Sequence, residues 1–184
     1  MKKLCLFILK LLNYKIDFVN IPKENKFVLV FAPHTSWTDF VIGKIALTAM
    51  EVNTTFLIKK EFFFFPLGFY LKYIGGYPID RNRTHKTTDI IAKYICEKEQ
   101  IALLITPEGT RRRVETWRRG FYYIALKANV PIALGYLDYN SRKGGIGPII
   151  QVTGDYEADL QKIKVFYRGM RGRKKGRFFL ENNE

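Results

Sequence analysis

The residues best suited to acid–base chemistry are His34 and Asp39, which stand five positions apart. A neutral imidazole is a suitable base for a hydroxyl group near neutral pH. A carboxylate beside the other ring nitrogen fixes the tautomer and stabilises the imidazolium that forms. His34 follows the apolar run 27–31, and α/β sheets place their ligands at the carboxyl ends of such strands. The pair therefore predicts a general base held by a carboxylate.

The five-residue spacing sets a condition on how these two side chains can meet. On a regular helix, five residues turn about 140° beyond a full circle, so the two would not share a face. Ser36 is a good N-cap, which places Asp39 at the third helical position and His34 in the preceding loop. Residues 36–39 also resemble a capping box, which needs no catalysis. Taken alone, the pair leaves a purely structural role open.

A second group of polar residues follows the apolar run 101–105. It offers a carboxylate, a glycine, a hydroxyl and a guanidinium in consecutive positions: Glu108, Gly109, Thr110 and Arg111. A planar guanidinium suits phosphate, and glycine lets the backbone approach a ligand closely. An ordinary Pro-Glu-Gly turn has the same letters, and the Gly-x-x-x-x-Gly-Lys pattern of a nucleotide-binding loop is absent.

The wider pattern predicts the elements that position these loops. Compact apolar runs indicate buried strands at 27–31, 54–58, 101–105 and 132–137. Helical spacing of apolar residues predicts helices at 40–52, 84–97, 120–128 and 155–167. This alternation predicts an α/β fold, a single-domain core with a mostly parallel buried sheet flanked by helices. Because no linker or repeat interrupts the chain, residues 1–184 are expected to form one domain.

The composition bounds the partners. Lys and Arg number 31 against 17 Asp and Glu, a formal charge of +14, which attracts nucleic acid, acidic proteins, phosphorylated molecules or anionic lipid. Cys5 and Cys96 have neither metal-ligand nor disulfide spacing, so no metal site is expected. No apolar stretch reaches the ~20 residues that cross a bilayer. The protein is therefore expected to lie on a membrane rather than to span one.

The two ends of the chain carry distinct patterns. Apolar residues at helical spacing predict a short amphipathic helix within residues 1–15, docked either on the core or on a membrane surface. Near the other end, five of the seven residues 171–177 are basic. The basic tail, residues 170–184, is expected to be flexible or bound to a surface.

Four blocks in order resemble the 1-acylglycerol-3-phosphate acyltransferase family, also called lysophosphatidic acid acyltransferases. The first is the HX4D motif formed by His34 and Asp39, and the second is 76–81, which ends in Asp-Arg. The third is Pro-Glu-Gly-Thr-Arg at 107–111, and the fourth is Val-Pro-Ile-Ala at 130–133. The resemblance covers roughly residues 34–137. Departures are Pro33, where Asn or Ser often precedes the histidine, and the arginines at 112 and 113.

The resemblance implies an O-acyltransferase of phospholipid biosynthesis. Such an enzyme moves a fatty acyl group from acyl-CoA or acyl carrier protein to a hydroxyl of a lysophospholipid or glycerol phosphate. It implies that His34 is the general base, that Asp39 orients it, and that the acceptor oxygen attacks the thioester directly. Phosphate binding falls to Arg81 and to residues 108–111, with Lys59 a further candidate. No bound cofactor is expected, because the thioester donor is a co-substrate.

The implied partners are a lipid acceptor, the acyl donor and an anionic membrane surface. These place the protein peripherally on the cytoplasmic face of a membrane. The aromatic stretch 62–73 contains four consecutive phenylalanines, which cannot all face one way on a helix. We expect this stretch to divide among core, an acyl tunnel and lipid contact.

Three alternatives stay open at this point. The acceptor could be a lipid without phosphate, or the chain could be a lipid-binding relative without catalysis, although the intact His34 and Asp39 speak against the latter. A basic, aromatic-rich protein could instead bind nucleic acid. Because no helix-turn-helix, zinc or RNA-recognition pattern is visible, no nucleic-acid partner is expected.

Overall fold

A computed structural model of the protein describes residues 1–80 and 84–180, and only the backbone of 84–86. The strands in this part of the chain are β1 (Lys15–Asp17), β2 (Lys26–Ala32), β3 (Thr54–Lys59), β4 (Gly76–Ile79), β5 (Ile101–Ile105), β6 (Ile132–Asp138) and β7 (Lys143–Ile150). The helices are α1 (Lys2–Leu11), α2 (Trp37–Ala49), α3 (Leu67–Tyr73), α4 (Thr84–Cys96), α5 (Gly120–Ala128) and α6 (Tyr156–Tyr167), with a 3-10 turn at Lys60–Phe62.

The strands form one sheet in the order β1-β7-β6-β2-β5-β3-β4. All neighbouring strands in it are parallel except β6 and β7, which are antiparallel and joined by a short turn. The predicted α/β class with a mostly parallel sheet flanked by helices is therefore confirmed. β7 was not predicted, because glycines at 144, 145 and 147 interrupt its apolar pattern.

The central strand β2 is buried on both faces. Its even-numbered residues from 28 to 32 pack into a core with α4, α5 and α6, and its odd-numbered residues from 27 to 31 pack with α1 and α2. This division follows from the two-residue period of a strand. Two helical layers therefore hold β2 fixed, and the loop that leaves its carboxyl end starts from a rigid base.

The amphipathic helix expected near the start of the chain is α1. One side docks on the core, where Cys5 and Leu9 are buried in a cluster with residues of α2. Its other side is also apolar, and Leu4, Phe7 and Leu11 are between 57% and 76% exposed. The helix thus packs on the protein and still presents an apolar face. In the described ranges, no helix is both long enough and apolar enough to cross a membrane.

The basic tail runs back across the carboxyl end of the parallel strands, where the loop of His34 lies. The Arg171 N–H donates to Asp138 Oδ1 at 2.9 Å, and its carbonyl accepts the Tyr139 N–H at 2.9 Å. Farther along, Leu180 is 3% exposed and packs in the core. Whereas the sequence suggested a flexible or surface-bound tail, residues 170–180 lie against the protein; residues 181–184 fall outside the described part.

Candidate active site

The loop that carries His34 joins β2 to α2. Ser36 caps α2, as predicted, since its Oγ accepts the Thr38 N–H at 3.4 Å. Asp39 then stands at the third helical position and its Oδ2 accepts the N–H groups of Thr35 (2.6 Å) and Ser36 (2.7 Å). The capping box is real, and it holds the Asp39 carboxylate under the loop of His34.

His34 and Asp39 come together in this arrangement. The His34 Nδ1 atom lies 3.7 Å from Asp39 Oδ2, which is close enough for a strong charge interaction but longer than a hydrogen bond. Asp39 is fully buried, while the His34 side chain is 19% exposed. Burial lowers the pKa of His34; the Asp39 charge opposes this shift and the Arg111 charge adds to it. The imidazole is therefore neutral near pH 7 and able to accept a proton.

Glu108 contacts the backbone of His34. Because β5 lies parallel to β2, the loops after both strands meet at the same edge of the sheet. Glu108 Oε1 accepts the His34 N–H at 2.7 Å, and its Oε2 has no hydrogen-bond partner among the described residues. The residue is 3% exposed, and burial raises the pKa of its carboxyl to about 8. Its place in the structure is that of a support for the histidine loop.

The rest of this loop faces a large cavity. Gly109, Thr110 and Arg111 line it together with His34, and its volume is about 900 Å³. Gly109 has a φ of +64°, in the left-handed region that glycine adopts without strain, so the position favours glycine. Arg118 also lines the cavity, and its N–H donates to the Pro107 carbonyl at 2.8 Å.

Most of the cavity wall is apolar. Side chains from α2, β3, β4, α4 and α5 contribute: Phe40, Phe56, Ile79, Ile91, Phe121 and Ile124. Its volume falls within the usual range for small-molecule sites, which are lined by apolar groups with a few polar ones. His34, Thr110 and Arg111 supply such polar groups here. The arrangement can hold a hydrocarbon chain beside a base and a guanidinium.

One predicted binding residue, Lys59, stands apart from this group. Lys59 is exposed at the end of β3 and is not among the residues that line the cavity. Arg81 lies outside the described residues. In the part of the chain that is described, no group of His, Cys, Asp and Glu side chains could hold a metal ion.

Comparison with known proteins now places this site in a family. The sequence model of the acyltransferase family matches residues 15–133. The chain belongs to the acyltransferase family. The matched range includes His34, Asp39 and Glu108 to Arg111, which are the polar residues of the candidate site described above.

Two known proteins are similar to this acyltransferase, one in sequence and one in structure. A 1-acyl-sn-glycerol-3-phosphate acyltransferase of Streptococcus pneumoniae is 27% identical over 113 residues, which are 61% of this chain and 42% of that protein. The crystal structure of the 1-acyl-sn-glycerophosphate (LPA) acyltransferase PlsC from Thermotoga maritima matches with a TM-score of 0.64 and 18% identity. That match covers 90% of this chain and 76% of the other. The second comparison shows a shared fold.

Sequence reasoning missed two residues of the acyltransferase site. Tyr139, in the turn after β6, donates a hydrogen bond of 2.7 Å to Asp39 Oδ1. Arg118 reaches the cavity from the loop before α5. Tyr139 is 100 positions from Asp39, so no local pattern could have joined the two. The one feature of the sequence that could have indicated Arg118 is its positive charge, seven positions after Arg111.

Proposed function

We propose that this acyltransferase transfers a fatty acyl group from acyl-CoA or acyl carrier protein to a hydroxyl of a lysophospholipid or glycerol phosphate. The observation that carries the proposal is the position of His34, which lines an apolar cavity of about 900 Å³ together with Arg111. A hydrocarbon chain, a base and an anion-binding group then meet in one place. The names of the two similar proteins support the same acceptor class.

In the proposed step, His34 acts as the general base. Its neutral imidazole takes the proton of the acceptor hydroxyl while that oxygen attacks the thioester carbonyl. The tetrahedral intermediate then collapses, the carbon–sulfur bond breaks, and the thiolate leaves with the proton from the imidazolium. The buried Asp39 carboxylate, 3.7 Å from Nδ1, stabilises the imidazolium between these events. No covalent acyl-enzyme is formed.

The neighbouring loop would position the reactants. Arg111 is the proposed partner of the acceptor phosphate, since a guanidinium can donate two parallel hydrogen bonds to phosphate. Glu108 accepts a hydrogen bond from the backbone N–H of His34 and thereby fixes the position of the imidazole beside the cavity. Arg81 and Lys59 stay candidates for the same phosphate. No bound cofactor is needed, because the donor thiol is the leaving group.

The proposed setting is the cytoplasmic face of an anionic membrane. The formal charge of +14 favours such a surface, where each nearby cation contributes about 1 kcal/mol. Apolar side chains are exposed on α1 and around α3, where Phe65 is 82%, Phe69 72% and Tyr73 90% exposed. Burying such rings in lipid stabilises binding by about 1.5–3 kcal/mol each.

Vesicle sedimentation tests the membrane setting. Phe65→Ser with Phe69→Ser should weaken binding to anionic vesicles at least about ten-fold, by loss of apolar burial. Val19→Ser changes an equally exposed apolar side chain outside both helices and serves as the control. Equal binding of the Phe65/Phe69 variant and the wild type would remove this surface from the proposal.

The transfer reaction is tested with labelled acyl-CoA or acyl-acyl carrier protein and a pool of lysolipids, with products identified by mass spectrometry. His34→Ala should abolish transfer, whereas His85→Ala, which changes the other histidine of the chain, should retain it. Transfer that survives His34→Ala would overturn the mechanism. The proposed function would be overturned if this protein bound nucleic acid with a steep salt dependence and transferred no acyl group.

A further inference from the structure

A second concavity, of about 310 Å³, lies beside the loop of His34. Trp37, Thr110 and Arg111 line both this concavity and the large apolar cavity, so the two adjoin. Its lining contains four cations from two distant parts of the chain: Arg111, Arg112, Lys174 and Arg177. None of the described residues that line it is acidic.

The far wall of this concavity comes from the basic tail, which is fixed against the histidine loop. The Lys174 N–H donates to Thr35 Oγ1 at 3.2 Å, and the Arg177 guanidinium donates to the Arg111 carbonyl at 3.4 Å. At Gly172 a Cβ would lie 2.4 Å from Thr35 Cγ2, so only glycine allows this close approach. The cations of the tail are therefore held next to the residue that follows His34.

These cations lack negative partners among the residues that the structure describes. In the described part of the chain, no carboxylate pairs with any of the four side chains. Thr35, Ser36 and Trp37, at the amino-terminal end of α2, complete the lining, and the positive end of a helix dipole adds to the field there. Like charges held around one concave surface repel each other, and an anion between them relieves that repulsion.

We infer that this concavity is a phosphate-monoester site in which Lys174 and Arg177 act as specificity residues. The inference rests on the proposed function and extends it to residues that none of the acyltransferase motifs contains. Two phosphate monoesters fit the reaction: the phosphate of the acceptor, and the 3′-phosphate of a coenzyme A donor. In a 1-acylglycerol 3-phosphate the free hydroxyl and the phosphate stand on adjacent carbons, which suits two adjoining cavities.

Binding titrations with two matched pairs of probes test the site. One pair is coenzyme A and dephospho-coenzyme A; the other is a short-chain lysophosphatidic acid and the corresponding monoacylglycerol. The variant Lys174→Gln/Arg177→Gln removes two charges and keeps the backbone bond from position 174 to Thr35. The control Arg173→Gln/Lys175→Gln removes two charges from the same segment at exposed positions that do not line the concavity.

We expect the wild type to prefer the phosphorylated member of at least one pair. That preference should fall about ten-fold in Lys174→Gln/Arg177→Gln and persist in the control, since charge-assisted hydrogen bonds to phosphate are lost only in the first. A loss in the lysophosphatidic acid pair assigns the site to the acceptor, and a loss in the coenzyme A pair assigns it to the donor.

Three results would overturn the site: no preference in the wild type, no loss in Lys174→Gln/Arg177→Gln, or equal loss in both variants, which would indicate general charge attraction. Unfolding curves confirm that both variants are folded. Because these are binding measurements, they are informative even if His34→Ala leaves transfer intact, and the two proposals can fail separately.

Discussion

The Tyr139 hydroxyl donates a hydrogen bond of 2.7 Å to Asp39 Oδ1, joining the turn after β6 to the first turn of α2. Asp39 thereby accepts three hydrogen bonds, two from the backbone at Thr35 and Ser36 and one from this phenol. A fully buried carboxylate needs such donors to stay where it is. Tyr139 is thus a positioning residue that acts on His34 through Asp39.

Tyr139→Phe removes the phenol donor and keeps the ring that packs edge-on against Tyr14. Hydrogen bonds to charged groups contribute about 1.5–3 kcal/mol, so we expect the free energy of unfolding to fall by about 1.5–3 kcal/mol. A loss at the lower end of this range corresponds to a fall in kcat of about ten-fold. KM should change little, because the ring lies behind Asp39. Steady-state kinetics and urea unfolding measure both effects.

Tyr123→Phe is the matched control, because Tyr123 is 38% exposed and lies on α5 away from Asp39. It should leave kcat and stability unchanged. If Tyr139→Phe lost stability but kept its kcat, Tyr139 would have a structural role alone.

Local spacing was sufficient to predict the histidine loop. The cap at Ser36 and the third helical position of Asp39 depend on neighbouring residues, so a pattern in the sequence can reveal them. The four predicted strands were found for a similar reason, since buried parallel strands are continuous apolar runs. Helix α2 begins at Trp37, directly after the predicted cap at Ser36, and not at residue 40, where its apolar pattern begins.

Tertiary contacts were beyond such patterns. Tyr139 lies 100 positions from Asp39, and Lys174 lies 139 positions from Thr35. Arg177 lies 66 positions from Arg111, and only the folded chain brings these pairs together. The buried contact between Glu108 and the His34 backbone likewise follows from the parallel pairing of β2 with β5. A motif can suggest that these residues act together, but it cannot show which atoms touch.

The pH dependence of transfer should report the environment of His34. Burial lowers its pKa below the ordinary 6.5, and the Arg111 charge lowers it further against the opposing effect of Asp39. Since the base must be neutral, we expect kcat/KM to fall only on the acid side of pH 6.5. Arg111→Gln removes a positive charge, raises the pKa of His34 and should move this acid limb to higher pH.

The control for this experiment is Arg173→Gln, which removes one charge from an exposed position outside both cavities. Its acid limb should coincide with that of the wild type. An acid limb in Arg111→Gln that stays in place or moves to lower pH would contradict the electrostatic coupling of Arg111 to His34.

Glu108 should make stability depend on pH. Burial raises the pKa of its carboxyl from 4.5 to about 8, so between these values the folded protein holds a proton that the unfolded chain releases. The stability that protonated Glu108 contributes is fully present below pH 4.5 and is lost as the pH rises through about 8. Each pKa unit corresponds to about 1.4 kcal/mol, which sets an upper bound of several kcal/mol on the loss.

Glu108→Gln keeps an oxygen for the His34 N–H and cannot ionise. Its free energy of unfolding relative to the wild type should therefore rise between about pH 5 and about pH 8. Urea unfolding at several pH values measures this difference. A constant difference across the range would show that Glu108 is ionised in the folded protein.

The acyl chain length that the enzyme prefers should depend on the space beside Gly120. This residue begins α5 and lines the large cavity, and a Cβ built on it meets nothing within 4 Å. Gly120→Leu should therefore fill part of the cavity without strain. Each methylene that no longer fits costs about 0.8 kcal/mol, so kcat/KM for long-chain donors should fall about four-fold per excluded methylene.

Gly120→Ala adds a single methyl group and serves as the control, with little change in chain preference. Both variants should be as stable as the wild type or slightly more stable, because replacing a glycine whose backbone conformation suits other residues stabilises by about 0.4–1 kcal/mol through the entropy of the unfolded chain. Kinetics with donors of graded length measure the effect. An equal loss for all donors would place Gly120 away from the acyl chain.

The position of β2 in the sheet also bears on how the protein is made. Its two neighbours, β5 and β6, begin at Ile101 and Ile132, roughly 75 and 105 residues after β2 begins at Lys26. At a synthesis rate of about 5–20 residues per second, this strand leaves the ribosome roughly 5–20 s before its second partner exists. The edge of β2 that pairs with β6 therefore stays unpaired through that interval, and the chain cannot close its core in the order in which it is translated.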